Sequence, residues 1–202
     1  MTTRSRPDIS ALVGSRICHD LINPLGAIGN GLELLSLTGK TPGVAPELAL
    51  IAQSVDSANA WIRFFRIAFG AATEGQALSG AELAAVLADS FDGGRIALST
   101  ELPAAIGRRD AKLALLLVLG MVCALPQGGT IRLAEAGGHW RLIGAGPRIR
   151  IEPRLWRQLD DPAPAAGLSA AEVQFALLPL AAAEAGRAPA VTLGDGRIEI
   201  LF

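Results

Sequence analysis

Basic runs are missing from this chain of 202 residues, where 18 lysines and arginines face 19 aspartates and glutamates for a formal net charge of −1. Without a basic tail, the chain has no electrostatic reason to hold nucleic acid or an anionic membrane surface. Long hydrophobic runs are missing too. Half of the residues (50%) are apolar, yet no uncharged apolar stretch reaches the roughly 18 to 20 residues that a membrane-spanning helix needs. The opening MTTRSRPDIS has no apolar segment of the kind that marks a secretion signal, so a cytoplasmic protein is expected. Cysteine is scarce. Cys18 and Cys123 have neither paired spacing nor histidines placed to share a metal, and a reducing cytoplasm keeps such residues as thiols. They are read as packing residues, and no metal or cofactor site is expected in this chain.

The length allows one large domain or two small ones, with ample material for a core. The pattern divides at about residue 75. From Asp8 to Thr38, and again from Pro46 to Ala72, apolar residues recur at helical spacing, with turn chemistry (TGKTPGVAP) between. Each helix would be roughly 40 Å long at about 1.5 Å per residue, and neither hides its apolar stripe within a single two-helix hairpin. Two hairpins from two chains would do so, which predicts a homodimeric four-helix bundle over residues 1–75. The end of the second helix, AWIRFFRIAF, is apolar on several sides, so Trp61, Phe64 and Phe65 are expected in a core shared with the C-terminal part of the chain.

Residues 76–202 read as an α/β layer, making the whole an α+β protein. TEGQALSG is expected to be a hinge, and Ser79 and Glu82 have capping-box spacing before ELAAVLADSF. A strand over RIALSTEL precedes the helix KLALLLVLGMVCAL, with Asp110 as its expected N-cap. That helix is hydrophobic nearly all round, which calls for burial against a sheet. GTIRLAEA and HWRLIGAG form a hairpin across Gly137 and Gly138. A short strand near RIRIEP, a helix from Ser169 to Arg187 and a terminal hairpin turning at Asp195 and Gly196 complete the prediction.

The chemistry-bearing residues gather in SRICHDLINPLGAIGNGLELL, Ser15 to Leu35. At about 100° per residue, Ile17, Leu21, Leu25, Ile28, Leu32 and Leu35 share a stripe, and His19 points almost the opposite way. Ser15, Arg16, Asn23, Gly26 and Asn30 accompany the histidine as a polar strip where a partner protein can approach. Asp20 is about 100° away around the helix and suits orienting or charging the imidazole rather than sharing a metal with it. Pro24 lacks a backbone donor and crowds the carbonyl of Asp20, which predicts a bend just after the histidine. Taken alone, His19 would be a solvated surface residue. His139 has no acidic or cysteine companion and reads as structural. Arg148, Arg150, Arg154 and Arg157 read as a solvated face, with contact to an acidic partner as the alternative.

The string HDLINPLGAI resembles the phospho-acceptor box of two-component histidine kinases. The resemblance implies that His19 accepts a phosphoryl group, that Asp20 assists, and that Asn23 helps dephosphorylate receiver domains. Kinase chemistry is a different matter. No asparagine follows Asn59, LIGAGPRIR has glycines but no acid, and GLSAAEVQ lacks the glycine pattern of a nucleotide lid. The groups that would hold magnesium and triphosphate, the dominant electrostatic term in transfer from ATP, are therefore absent.

A phospho-acceptor hairpin followed by a degenerate ATPase-like domain resembles the ChpT-type histidine phosphotransferases of alphaproteobacteria, over nearly the whole chain. That family implies a phosphohistidine relay between the receiver of a hybrid histidine kinase and downstream response regulators, each receiver bringing its own magnesium ion. Two rivals stand beside it. An autokinase would label His19 from ATP alone, and a dimeric adaptor would bind receivers without carrying phosphate.

Overall fold

The computed structural model describes residues 8–38, 45–159, 167–194 and 196–202. Two long helices come first: α1 (Ile9–Thr38), which runs unbroken through Pro24, and α2 (Ala45–Ala68). Asp8 opens α1 by accepting a hydrogen bond from the Ala11 amide at 3.0 Å, which satisfies one of the orphan donors of the first turn. The second helix stops four residues short of the predicted Ala72. Of the predicted turn, residues 39–44 lie outside the described residues.

The remaining elements are β1 (Ala77–Ser79), α3 (Gly80–Phe91), β2 (Ile96–Glu101), β3 (Ala105–Gly107), α4 (Arg108–Ala124), β4 (Gly129–Ala136), β5 (His139–Ala145), α5 (Pro153–Trp156), α6 (Val173–Ala185), β6 (Ala190–Gly194) and β7 (Arg197–Leu201). Five strands form one sheet in the order β2-β4-β5-β7-β6. The β2–β4 pair is parallel, with α4 as its crossover, and the other pairs are antiparallel. The predicted hinge is instead occupied by β1, which pairs antiparallel with β3, so the hairpin joins the layer through a backbone ladder. Ser79 Oγ accepts from the Glu82 amide at 3.0 Å and starts α3 as its sequence predicts.

Three other readings are corrected. The N-cap of α4 is Gly107, not Asp110. Asp110 sits in the first turn, where an acid suits the helix dipole, and holds Arg187 Nε at 2.9 Å from the end of α6. RIRIEP forms no strand. Its Arg150 amide donates to Ala124 O at 2.9 Å, closing the end of α4; Pro147 precedes the segment and Pro153 ends it. The predicted helix from Ser169 begins as a 3-10 turn (Ala170–Glu172) before α6, which ends at Gly186 in the left-handed region, φ 64°. The β4–β5 hairpin turns at Gly137 and Gly138, φ 61° and 86°, as predicted. In the terminal hairpin, Asp195 lies outside the described residues.

Helix α4 is wrapped on every side, with Leu113 to Leu119 all buried. The sheet supplies Ile131, Leu133, Trp140, Leu142, Ile198 and Ile200 to one side of it. Phe64, Phe65, Ile67 and Ala68 from the end of α2 join the same cluster, so one core seats the hairpin on the layer. Trp61, half-buried, packs on Phe64, Phe65 and Phe91.

Candidate phospho-acceptor site

Helix geometry places His19 on the open side of α1, with 77% of its side chain exposed. Ser15, Asn23, Gly26 and Asn30 share that exposure, and a Cβ on Gly26 would meet nothing within 4 Å. A broad open groove of about 1270 Å³ starts beside Asp20 and Asn23 and runs between α2 and α3, where Asp56, Asp89 and Asp92 line it.

His19 Nδ1 lies 3.0 Å from Asp20 Oδ1. An ionised carboxylate only accepts, so in the neutral ring the proton sits on Nδ1 and the lone pair on Nε2 faces outward. The tautomer is set by the partner rather than by the imidazole itself. Asp20 gives its other oxygen to Arg16 Nε at 2.6 Å, so both carboxylate oxygens are committed. The acid predicted to orient or charge the imidazole thus lies within hydrogen-bond distance of it.

Arg16 departs from its predicted place. Only 11% of its side chain is exposed, so it is largely withdrawn from the partner-facing strip. Its opposite charge four residues on draws it toward Asp20, and Arg16 Nη1 donates across to Ala171 O in the second layer at 2.9 Å. Sequence reasoning missed Ala171 because a backbone carbonyl 155 positions away leaves no mark in residue type. Cys18 is also a correction, since it is exposed beside His19 instead of packed.

The 3-10 turn that carries Ala171 is itself pinned. Glu172 Oε2 accepts from the Ser169 amide at 2.9 Å and from its hydroxyl at 2.8 Å, while Oε1 takes Arg154 Nη2 at 2.6 Å. Burial alone would raise the Glu172 carboxyl, but the Ser169 hydrogen bonds and the Arg154 guanidinium outweigh it and hold the group below its ordinary value. A depressed native carboxyl contributes stability above the unfolded-state pKa, about 4.3 for Glu, and loses it as pH falls through the lower native value. Thermal melts from pH 7 down to pH 3 should therefore decline less steeply below about pH 4.5 for Glu172→Gln than for the wild type. Parallel curves would remove Glu172 from the acid response.

Arg148, Arg150, Arg154 and Arg157 are all exposed, with Arg150 and Arg154 paired to Glu152 at 3.7 and 2.8 Å. His139 is exposed at the start of β5. Along the hairpin the predicted apolar stripe splits. Ile17, Leu21, Ile28 and Leu35 are half-covered, while Leu25 and Leu32 stay bare, as does Ile22 outside the predicted stripe. On α2, Leu48, Val55 and Ile62 are bare at heptad spacing. No helix among the described residues is long and apolar enough to cross a membrane.

Residues 80–196 match the family model for the histidine phosphotransferase C-terminal domain. The chain is 33% identical over 198 residues to the protein phosphotransferase ChpT of Brucella abortus (strain 2308), covering 91% of this chain and 90% of that protein. Its structure is similar to a solved bacterial phosphotransferase, with a TM-score of 0.78 at 30% identity, over 99% of this chain and 98% of the other.

Proposed function

Because the chain belongs to the histidine phosphotransferase family, with a phosphorelay phosphotransferase as its function, we propose that His19 is the residue that carries the phosphoryl group. One observation carries this reading: an exposed imidazole whose Nδ1 is held by Asp20, leaving Nε2 free for an incoming phosphate.

The step balances simply. The Nε2 lone pair attacks the phosphorus of an aspartyl phosphate in line, the N–P bond forms as the P–O bond to the carboxylate breaks, and the aspartate leaves with the electron pair. The ring becomes cationic with its proton still on Nδ1, where the Asp20 carboxylate stabilises it through a hydrogen bond to a charged group, worth about 1.5–3 kcal/mol. The reverse attack, by the aspartate of a second receiver, empties the carrier. Positioning and charge stabilisation do most of this work, so the phosphotransferase needs chiefly a well-placed nucleophile.

A phosphorelay phosphotransferase has receiver domains and response regulators as partners. For this chain we assign the donor to the receiver of a hybrid histidine kinase, with the magnesium ion arriving on each receiver. In support, both oxygens of Asp20 are already taken by protein partners. Exposed Asn23, one turn beyond His19, is placed to touch an incoming receiver, and its polar neighbours Ser15, Gly26 and Asn30 extend that surface. Homodimerisation through the bare stripes of α1 and α2 completes a four-helix bundle, and the cytoplasm is the compartment where such partners meet.

ATP use is the rival reading. Its metal-binding asparagine would fall on α4, whose sequence RRDAKLALLLVLGMVCA contains none. The test presents the protein with a phosphorylated receiver in one reaction and with magnesium-ATP alone in another. Acid-labile label should enter from the receiver only. Labelling by ATP alone would make the protein an autokinase, and binding without labelling would make it an adaptor.

A further inference from the structure

Gln174 is wholly buried in α6, and its Oε1 has no hydrogen-bond partner among the described residues. A buried amide with one acceptor unmatched is unfavourable, and an apolar side chain of similar size would fill the place without that penalty. Its other half explains its presence. Gln174 Nε2 lies 3.0 Å from Ala171 O, and since a carbonyl only accepts, the atom facing it must be the amide nitrogen. The same Nε2 lies 3.2 Å from Cys123 Sγ, and that thiol is 3.5 Å from Ala171 O. Burial pushes the Cys123 thiol up, against the opposing influence of Arg16, so it stays protonated.

Ala171 O is therefore held from within the layer by Gln174 and reached from outside by Arg16 at 2.9 Å. Arg16 grips Asp20 at 2.6 Å, and Asp20 sets the ring of His19 at 3.0 Å. An unbroken hydrogen-bonded chain thus runs from the core of the ATPase-like layer to Nδ1 of the His19 ring, the nitrogen opposite the one offered to the phosphate.

We propose that Gln174 and Arg16 are positioning residues for the acceptor: through the Ala171 carbonyl, the second layer fixes the orientation and tautomer of the His19 imidazole. This rests on the carrier reading above and gives the degenerate ATPase-like layer a role in the transfer step itself. The fork of Arg16 matters because one planar guanidinium spans two acceptors, Asp20 and Ala171 O, a geometry that lysine lacks.

The experiment combines single-turnover transfer from a phosphorylated receiver with nitrogen-15 NMR of the His19 ring in the unphosphorylated protein. Gln174→Met keeps the volume and removes the donor. It should slow transfer between about tenfold and a hundredfold, as small misplacements of reacting groups do, while its thermal midpoint is equal to or above that of the wild type. The ring signals should show loss of the Nδ1–H form. In an Asp20→Asn background, Gln174→Met should add no further slowing, because the chain is already cut. Should Gln174→Met fail to fold, Arg16→Lys, at a largely covered position of α1 outside the core of the layer, carries the same two measurements. A folded variant with wild-type rate and wild-type ring signals, or one whose slowing multiplies with that of Asp20→Asn, would overturn the proposal. Failure of the wild type to take label from a receiver would instead defeat the carrier reading, and the ring signals of the variants would still decide the positioning role.

Discussion

His19→Gln should leave no acid-labile label on the protein after incubation with a phosphorylated receiver, while melting temperature and oligomeric state stay as in the wild type. The loss is complete rather than partial because the substitution removes the only ring nitrogen offered to the phosphate, and a carboxamide is not a substitute nucleophile. Folding should be untouched, since the side chain is 77% exposed and its hydrogen bond at Nδ1 is on the surface of α1. Asp20 keeps its second partner, Arg16, so the change does not strand a charge. Transfer at the wild-type rate in the variant would move the acceptor elsewhere.

In the proposed four-helix bundle, Val55→Glu should convert a dimer to monomers. Val55 sits midway along the bare α2 stripe between Leu48 and Ile62, facing the same direction as they do at heptad spacing. Burying such side chains contributes about 1.5–3 kcal/mol each, and symmetry presents every residue of the stripe twice. One glutamate per protomer both withdraws this contribution and asks a carboxylate to leave water, so dimer affinity should fall by at least about a hundredfold, or 2.7 kcal/mol. Light scattering across micromolar concentrations reads the change directly. A wild-type chain that is monomeric there would refute the four-helix arrangement, and a Val55→Glu variant that stays dimeric would place the interface elsewhere.

How much of this was legible in the residues depended on whether a signal was local. The α1 helix and the outward face of His19 come from periodicity, the burial of α4 from apolar residues on nearly every side, and the β4–β5 turn from two adjacent glycines, which take positive φ. The bare and half-covered halves of the apolar stripe could not be separated, because which half α2 covers is a matter of packing. RIRIEP alternates like a strand, yet its Arg150 amide goes to the end of α4, a tertiary choice that overrides the local pattern.

At the site, the acid next to the histidine announced itself, while the support behind it did not. Arg16 looked like a member of the polar strip because its wheel position lies near that of His19. Its actual direction was decided by Asp20 four residues on and by a carbonyl 155 positions away. Gln174 carried no visible signal either, since one glutamine in an apolar helix gives no hint of where its donor goes.

On the proposed relay, His19 carries phosphate on its outward nitrogen between two receiver aspartates. Phosphorus–nitrogen coupling in nitrogen-15-labelled protein, phosphorylated by its receiver, tests it most directly. One phosphorus should couple to Nε2 of His19, with the proton retained on Nδ1, and that signal should be lost when a second receiver is added. Phosphorus on Nδ1, on another residue, or retained in the presence of every acceptor receiver would contradict it.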